Sequence, residues 1–266
     1  MTQLDRRLGR SVFGGDPAGY HAARPGYPEF VYDILRERCG LRPGTPTFEV
    51  GAGTGIATGR LLHIGAAPLA AIEPDPRLAA FLRASLPTED LQVLAEPFEE
   101  TPLPSARFDL GLAATSFHWV EAEAGLAQVA RLLRPGGWWA MVWNVFGDER
   151  RHDAFHEATV GLLGESRSPA AGAVRELSFG EDHVRRAAEL EAAGVFEDIA
   201  YQSLSWTLTL GPPGVRALYA TYSEINARPP EARERLLDAL MEIAEREFAG
   251  KVERNMVTAI HTARRR

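Results

Sequence analysis

Along the first half of the chain, short unbroken apolar runs alternate with stretches whose apolar positions recur every three or four residues. The first pattern is that of buried strands, the second that of amphipathic helices. Residues 29–39 form an amphipathic stretch opened by Pro28 and ended by Gly40, and 47–50 form a short β run closed by glycines. A helix-like stretch over 56–63 is followed by a buried strand over 68–72 that ends at Glu73. Pro76 sits at a first helical position, and 77–86 continues that helix. Strands are predicted over 91–94 and 108–113, a helix over 121–133 and a fifth strand over 138–142. Arg134-Pro135-Gly136-Gly137 supplies the helix stop and turn before that fifth strand.

After about Asn144 the pattern changes. The chain reads as mostly helical and charged up to Gly194, then as a β run over 199–210 broken by Gly211-Pro212-Pro213-Gly214. Helical stretches over 215–226 and 231–248 follow, and 252–262 alternates like a returning edge strand. Short strands alternating with helices of about ten residues predict an α/β fold with both sheet faces covered. The expected architecture is a doubly wound, mostly parallel seven-stranded sheet with an antiparallel edge strand and inserted helices. No repeat and no Pro/Ser/Gly-rich linker divides the chain, so one domain is expected over 1–266. It comprises a leader (1–40), a core (41–145) and a C-terminal half with helical insertions (146–266).

Composition narrows the chemistry. The 266 residues are 45% hydrophobic, enough for a large core, and no apolar run reaches the ~18–20 residues of a membrane span. The N-terminal stretch has arginines but no apolar segment, so no signal peptide is read and a cytoplasmic location is expected. One cysteine, Cys39, excludes an internal disulfide and a cysteine-based zinc site. Lys+Arg of 29 against Asp+Glu of 36 gives −7, which disfavours a nucleic-acid partner; the single lysine, Lys251, argues against lysine chemistry. His152 and His156, near Asp148 and Glu149, have the spacing of a metal pair, but no third ligand is fixed, and an exposed helix face with no metal is the better reading.

The chemical signal is Gly51-Ala52-Gly53-Thr54-Gly55, between a strand and a helix. In an open α/β sheet a ligand binds there, outside the strand's carboxyl end. The G-x-G-x-G spacing differs from the G-x-G-x-x-G of dinucleotide folds, which disfavours a nicotinamide oxidoreductase. Glu73, at the end of the next strand, is placed to accept the two hydroxyls of an adenosine ribose.

The motifs FEVGAGTG (48–55), AIEPDPRL (71–78), PFEETPLP (97–104), FDLGLAATSFHWV (108–120) and LRPGGWWAMVWN (133–144) occur in this order. With the leader YHAARPGYP (20–28), they resemble the class I S-adenosylmethionine-dependent methyltransferases of the small-molecule type. The resemblance implies S-adenosyl-L-methionine as cofactor, S-adenosyl-L-homocysteine as product, no metal, and a small-molecule acceptor. It places Gly51, Ala52, Gly53 and Thr54 at the methionine part, with Glu49 near the amino group, Glu73 on the ribose and Pro74 on the adenine. The adenine amine falls to the stretch around Glu96, Pro97 and Phe98. Ala114, Thr115 and Ser116 pass beneath the sulfur.

Methyl transfer from a sulfonium needs alignment and water exclusion, and a base only where the acceptor must lose a proton. His118 is the candidate base, set against a structural pairing with Trp119. Tyr20 and Arg24 lie in a leader that could close over the site, and Arg24 could pair with the methionine carboxylate or with a substrate acid. Tyr219 and Tyr222 could face the acceptor or pack in the core. An RNA or protein methyltransferase and a non-catalytic cofactor-binding protein are the alternative readings. The oligomeric expectation is a monomer or homodimer.

Overall fold

The computed structural model describes residues 13–148, 150–151, 153–163 and 177–266. In the leader, Asp16 caps α1 (Pro17–Ala23) by accepting from the Gly19 N–H at 2.9 Å, and α2 (Glu29–Glu37) follows. The core then alternates β1 (Thr47–Val50), α3 (Ile56–Ile64), β2 (Leu69–Ile72), α4 (Pro76–Ser85), β3 (Leu91–Leu94), β4 (Phe108–Ala114), α5 (Ala122–Leu132) and β5 (Leu133–Phe146). The second half holds α6 (Ala154–Leu163), α7 (His183–Ala192), β6 (Phe196–Leu210), α8 (Pro212–Tyr219), α9 (Ser223–Asn226), α10 (Pro230–Arg246) and β7 (Val252–Arg265).

The seven strands form one sheet in the order β3-β2-β1-β4-β5-β7-β6, with β1 to β5 parallel and β7 antiparallel to both its neighbours. The mostly parallel, doubly wound sheet read from the sequence is therefore present. Both of its faces are buried, as strict alternation along β5 shows: Trp139, Met141 and Trp143 join one core, Ala140 and Val142 the other. Helices α5 and α7 cover the first face with Leu126, Val129 and Leu190. Helices α2, α3 and α4 cover the second with Leu35, Leu61 and Leu82. A third core, with Phe155, Val215, Tyr219, Leu237, Leu240 and Val252, holds the added helices against the start of β7.

Three details refine the sequence reading. The returning strand over 252–262 runs on to Arg265 and is the inner member of the antiparallel edge pair; β6 is outermost. Residues 256–263 of β7 are buried throughout, whereas β6 alternates exposed positions, as an edge strand must. Strand β5 starts at Leu133, because the Arg134-Pro135-Gly136-Gly137 turn is absorbed as an irregularity in its pairing with β4. The helix read over 215–226 is broken into α8 and α9 around Thr221. Among the described residues no helix is long and apolar enough to cross a membrane.

Candidate active site

The carboxyl ends of β1, β2 and β4 converge, and the site is built on the turns that follow them. After β1 the chain reverses through glycines: Gly51, Gly53 and Gly55 have φ of 65°, 58° and 87°. At Gly51 a Cβ would also lie 2.5 Å from the Ser116 Cβ, so only glycine lets the two turns meet. The Gly51 and Ala52 N–H groups donate to the Ile72 carbonyl at 2.8 and 3.1 Å, which folds the loop against β2. Glu73 braces the loop: its Oε2 accepts from the Gly53 N–H at 2.8 Å and its Oε1 from the Asp75 N–H at 2.9 Å.

Glu49 stands beneath the loop, 1% exposed, and accepts from the Thr58 hydroxyl at 2.6 Å. Burial pushes its carboxyl up to about 8, the Glu73 charge adds to the rise, and the Thr58 hydrogen bond opposes it. After β4, Thr115 has a φ of 54°, a strained position for a β-branched residue. It is held by its N–H to the Val142 carbonyl (2.7 Å) and by a 2.8 Å hydrogen bond between its hydroxyl and that of Tyr27. The next residue, Ser116, donates its hydroxyl to the Val50 carbonyl.

A cavity of about 450 Å³ opens over these turns. Its wall carries Tyr20, Arg24, Glu49, Gly51 to Thr54, Glu73, Pro74, Phe98, Ala114 to Ser116 and His118. Of the stretch Glu96, Pro97 and Phe98, only Phe98 lines the wall, where the short 3-10 turn at Phe98–Glu100 sets it beside Glu99.

His118 is 3% exposed, and the Trp143 indole N–H donates to its Nδ1 at 3.2 Å. A neutral imidazole that accepts at Nδ1 carries its proton on Nε2, so His118 is a donor at its other nitrogen. The leader is tied down on several sides. His21 Nδ1 lies 3.1 Å from the Thr54 hydroxyl, and the Asn144 side chain donates to the Gly26 carbonyl at 3.1 Å. Arg24 donates to the Thr221 carbonyl at 3.1 Å, a group exposed by the break between α8 and α9. Its guanidinium carbon lies 5.2, 5.7 and 5.3 Å from the ring centroids of Tyr20, Phe146 and Tyr222.

Tyr219 and Tyr222 do both things expected of them: they line the cavity and pack in the third core, with rings 4.9 Å apart. Arg254, at the start of β7, was not a sequence candidate. It is 3% exposed, pairs with Asp153 at 2.7 Å, donates to the Tyr219 hydroxyl and lines the same cavity. His156 also reaches the wall, while His152 and Glu149 lie outside the described residues. Among the described residues no group of three or more His, Cys, Asp or Glu is placed to hold a metal ion.

A family profile described as a methyltransferase domain matches residues 48–141. An uncharacterized methyltransferase of Mycobacterium tuberculosis is 30% identical over 245 residues, spanning 91% of this chain and 89% of the relative. The chain belongs to the class I S-adenosylmethionine-dependent methyltransferases. An uncharacterized methyltransferase-like protein of Schizosaccharomyces pombe is 28% identical over 91% of this chain and 89% of its own length. The methyltransferase fold extends to a putative type II methyltransferase from Anaeromyxobacter dehalogenans, with a TM-score of 0.62, 21% identity, and coverage of 91% of this chain and 97% of that one. It also extends to a Haemonchus contortus phosphoethanolamine N-methyltransferase solved with S-adenosyl-L-methionine (TM-score 0.59, 12% identity, 100% and 60% covered). In this methyltransferase the profile covers the side of the cavity built on the glycine turn, Glu73 and Thr115; Tyr20, Arg24, Tyr219, Tyr222 and Arg254 lie outside it.

Proposed function

We propose that this methyltransferase transfers the methyl group of S-adenosyl-L-methionine to a small-molecule acceptor. The observation that carries the reading is one cavity with two unlike walls. On one side stand the glycine turn, Glu49 and Glu73; on the other, the aromatic and arginine side chains of the leader, α8, the α8–α9 junction and β7. A volume of about 450 Å³ is in the range of small-ligand pockets.

The residues present fit the cofactor. A Cβ at Gly53 would enter open space, which glycine leaves clear for a close approach, and Glu49 is a buried acid with a single hydroxyl donor, suited to an ammonium. Glu73 is oriented by two backbone N–H groups, as a ribose-binding carboxylate requires. Pro74, Phe98 and Glu99 would flank the adenine. The bound sulfonium supplies an electrophilic methyl group and a neutral thioether leaving group. The protein's task is alignment and exclusion of water. Thr115, clamped by Tyr27, shapes the floor between donor and acceptor, and His118 presents Nε2–H to orient the acceptor rather than to take its proton. Tyr20 and Arg24 close the leader over the acceptor side.

The test is transfer of labelled methyl from S-adenosyl-L-methionine into a cell extract split into metabolite, RNA and protein fractions. Label in the metabolite fraction is expected. Label in RNA or protein overturns the acceptor class. Binding of S-adenosylhomocysteine without turnover in any fraction overturns catalysis, and binding of NAD in its place overturns the cofactor.

A further inference from the structure

The acceptor side of the cavity contains an arginine that makes no ion pair among the described residues. Among the described residues no carboxylate pairs with Arg24; its partners are the Thr221 carbonyl and three aromatic rings. Its Nε is buried and makes no hydrogen bond. The hydroxyl of Tyr222, whose ring packs against the same guanidinium, is likewise buried and makes none. Burial pushes that phenol well above its ordinary value, so it remains an O–H donor. Two donors without acceptors, one of them charged, on side chains packed against each other in the wall of a ligand cavity are a demand for an anion.

The other ionisable groups nearby do not meet that demand. Arg254 is neutralised by Asp153 and engaged with Tyr219. Glu224 lines the cavity on the α9 side but makes no ion pair with Arg24. Arg24 is held by α1, by the end of β5 and by the α8–α9 junction; none of its partners belongs to the glycine turn. The glycine turn is instead met by His21 of the same helix, through the Thr54 hydroxyl.

We propose that this corner is an anion subsite for the methyl acceptor: the acceptor carries a carboxylate that Arg24 and the Tyr222 hydroxyl receive together, with its apolar body against Phe146 and Tyr219. Both donor atoms are shut off from solvent inside the aromatic cage, so the carboxylate reaches them through a small rotation of the Tyr222 ring or the Arg24 stem. The inference rests on reading this side of the cavity as the acceptor's.

Calorimetric titration of the S-adenosylhomocysteine-loaded protein with octanoate and benzoate, each against its neutral amide, tests it. The carboxylates are expected to bind, and the amides to bind weaker by about tenfold or more, the scale of a charge-assisted hydrogen bond. Arg24→Gln is expected to remove the preference and Tyr222→Phe to weaken it severalfold, with S-adenosylhomocysteine affinity unchanged in both. Equal binding of acid and amide, no binding of either acid, or an undiminished preference in Arg24→Gln overturns the proposal. So does an Arg24→Gln protein that loses S-adenosylhomocysteine affinity but keeps that for 5′-methylthioadenosine, because the guanidinium then serves the cofactor's carboxylate. If Arg24→Gln does not fold, Tyr222→Phe, which removes one oxygen, decides. Failure of the wild type to bind S-adenosylhomocysteine sinks the cofactor reading instead, and the acids are then titrated into the ligand-free protein.

Discussion

Replacing Glu49 by glutamine isolates one buried charge. The carboxyl is 1% exposed, takes its hydrogen bond from Thr58 and is raised by burial from 4.5 to about 8. In the unfolded chain it ionises at its ordinary value. Between the two values the folded chain holds a proton that the unfolded chain has lost, so stability falls as pH rises, by about 1.36 kcal/mol per pH unit. The loss from this group is about 3 kcal/mol at neutral pH and on the order of 5 kcal/mol above about pH 8, against a total stability of roughly 5–15 kcal/mol. Relaxation of the site makes these upper values. Glutamine is neutral at every pH and keeps an oxygen for Thr58. Urea unfolding of the ligand-free proteins across about pH 5 to 9 should show Glu49→Gln little different at the acid end and increasingly the more stable toward the alkaline end. Other titrating groups cancel in the difference. Parallel curves would refute the reasoning, because they would mean that Glu49 is ionised at no cost in the fold. A second readout follows from the proposed function. An ammonium delivered beside Glu49 ionises it, so S-adenosylhomocysteine binding below about pH 8 should release a proton in the wild type and none in Glu49→Gln. Calorimetry in buffers of different ionisation enthalpy measures that proton directly.

Three further outcomes are expected. Asp153→Asn should destabilise the fold by about 3–5 kcal/mol, because it strands the buried Arg254 guanidinium; a loss under about 1 kcal/mol in urea unfolding would mean that water compensates the charge. Gly51→Ala forces a Cβ 2.5 Å from that of Ser116 on a residue with a φ of 65°, so a destabilisation of roughly 1–3 kcal/mol and loss of S-adenosylhomocysteine binding are expected by thermal shift and calorimetry. His118→Asn preserves an N–H donor and should retain most turnover, whereas His118→Ala should lose about tenfold or more, both with normal cofactor affinity; equal and large losses in the two would restore a base role.

The side of the cavity built on the glycine turn was legible because its information is local. A strand, three glycines and a helix lie within eighteen residues, 47–64, and Glu73, which braces that turn, ends the next strand. The strand count followed from apolar runs that both sheet faces bury. Local turn geometry marks where that legibility stopped. After β3 the sequence pointed to Glu96, Pro97 and Phe98; the 3-10 turn at Phe98–Glu100 brings Phe98 and Glu99 to the cavity wall, with Phe98 stacked 6.1 Å from Phe48, and leaves Glu96 and Pro97 off it. The broken helix at Thr221 was hidden for a similar reason: its residues tolerate a helix, and tertiary contacts decide where it stops.

Across the rest of the cavity the sequence named Tyr20, Arg24, Tyr219 and Tyr222 but not Arg254, and it gave none of their partners, because that information is pairwise and distant. Arg24 meets Thr221 across 197 residues, and Arg254 meets Asp153 across 101. The topology nevertheless explains why these partners end up together. Both β5 and β6 run antiparallel to β7, so β6 is parallel to β5 and ends on the edge of the sheet where the glycine turn, Glu73 and Thr115 emerge. Whatever is inserted between β6 and β7 must therefore land over the cofactor turns. Helices α8 to α10 occupy that insertion, and β7 begins there, which carries Arg254 into the same cavity. The leader reaches this edge separately and is fastened to it through Thr221 and Asn144. On the proposed function, residues 212–254 and the leader are the pieces that would set acceptor choice, apart from the cradle on β1, β2 and β4. The proposed carboxylate-binding corner of Arg24 and Tyr222 takes one residue from each of those two pieces, so it requires the leader to be closed against the insertion.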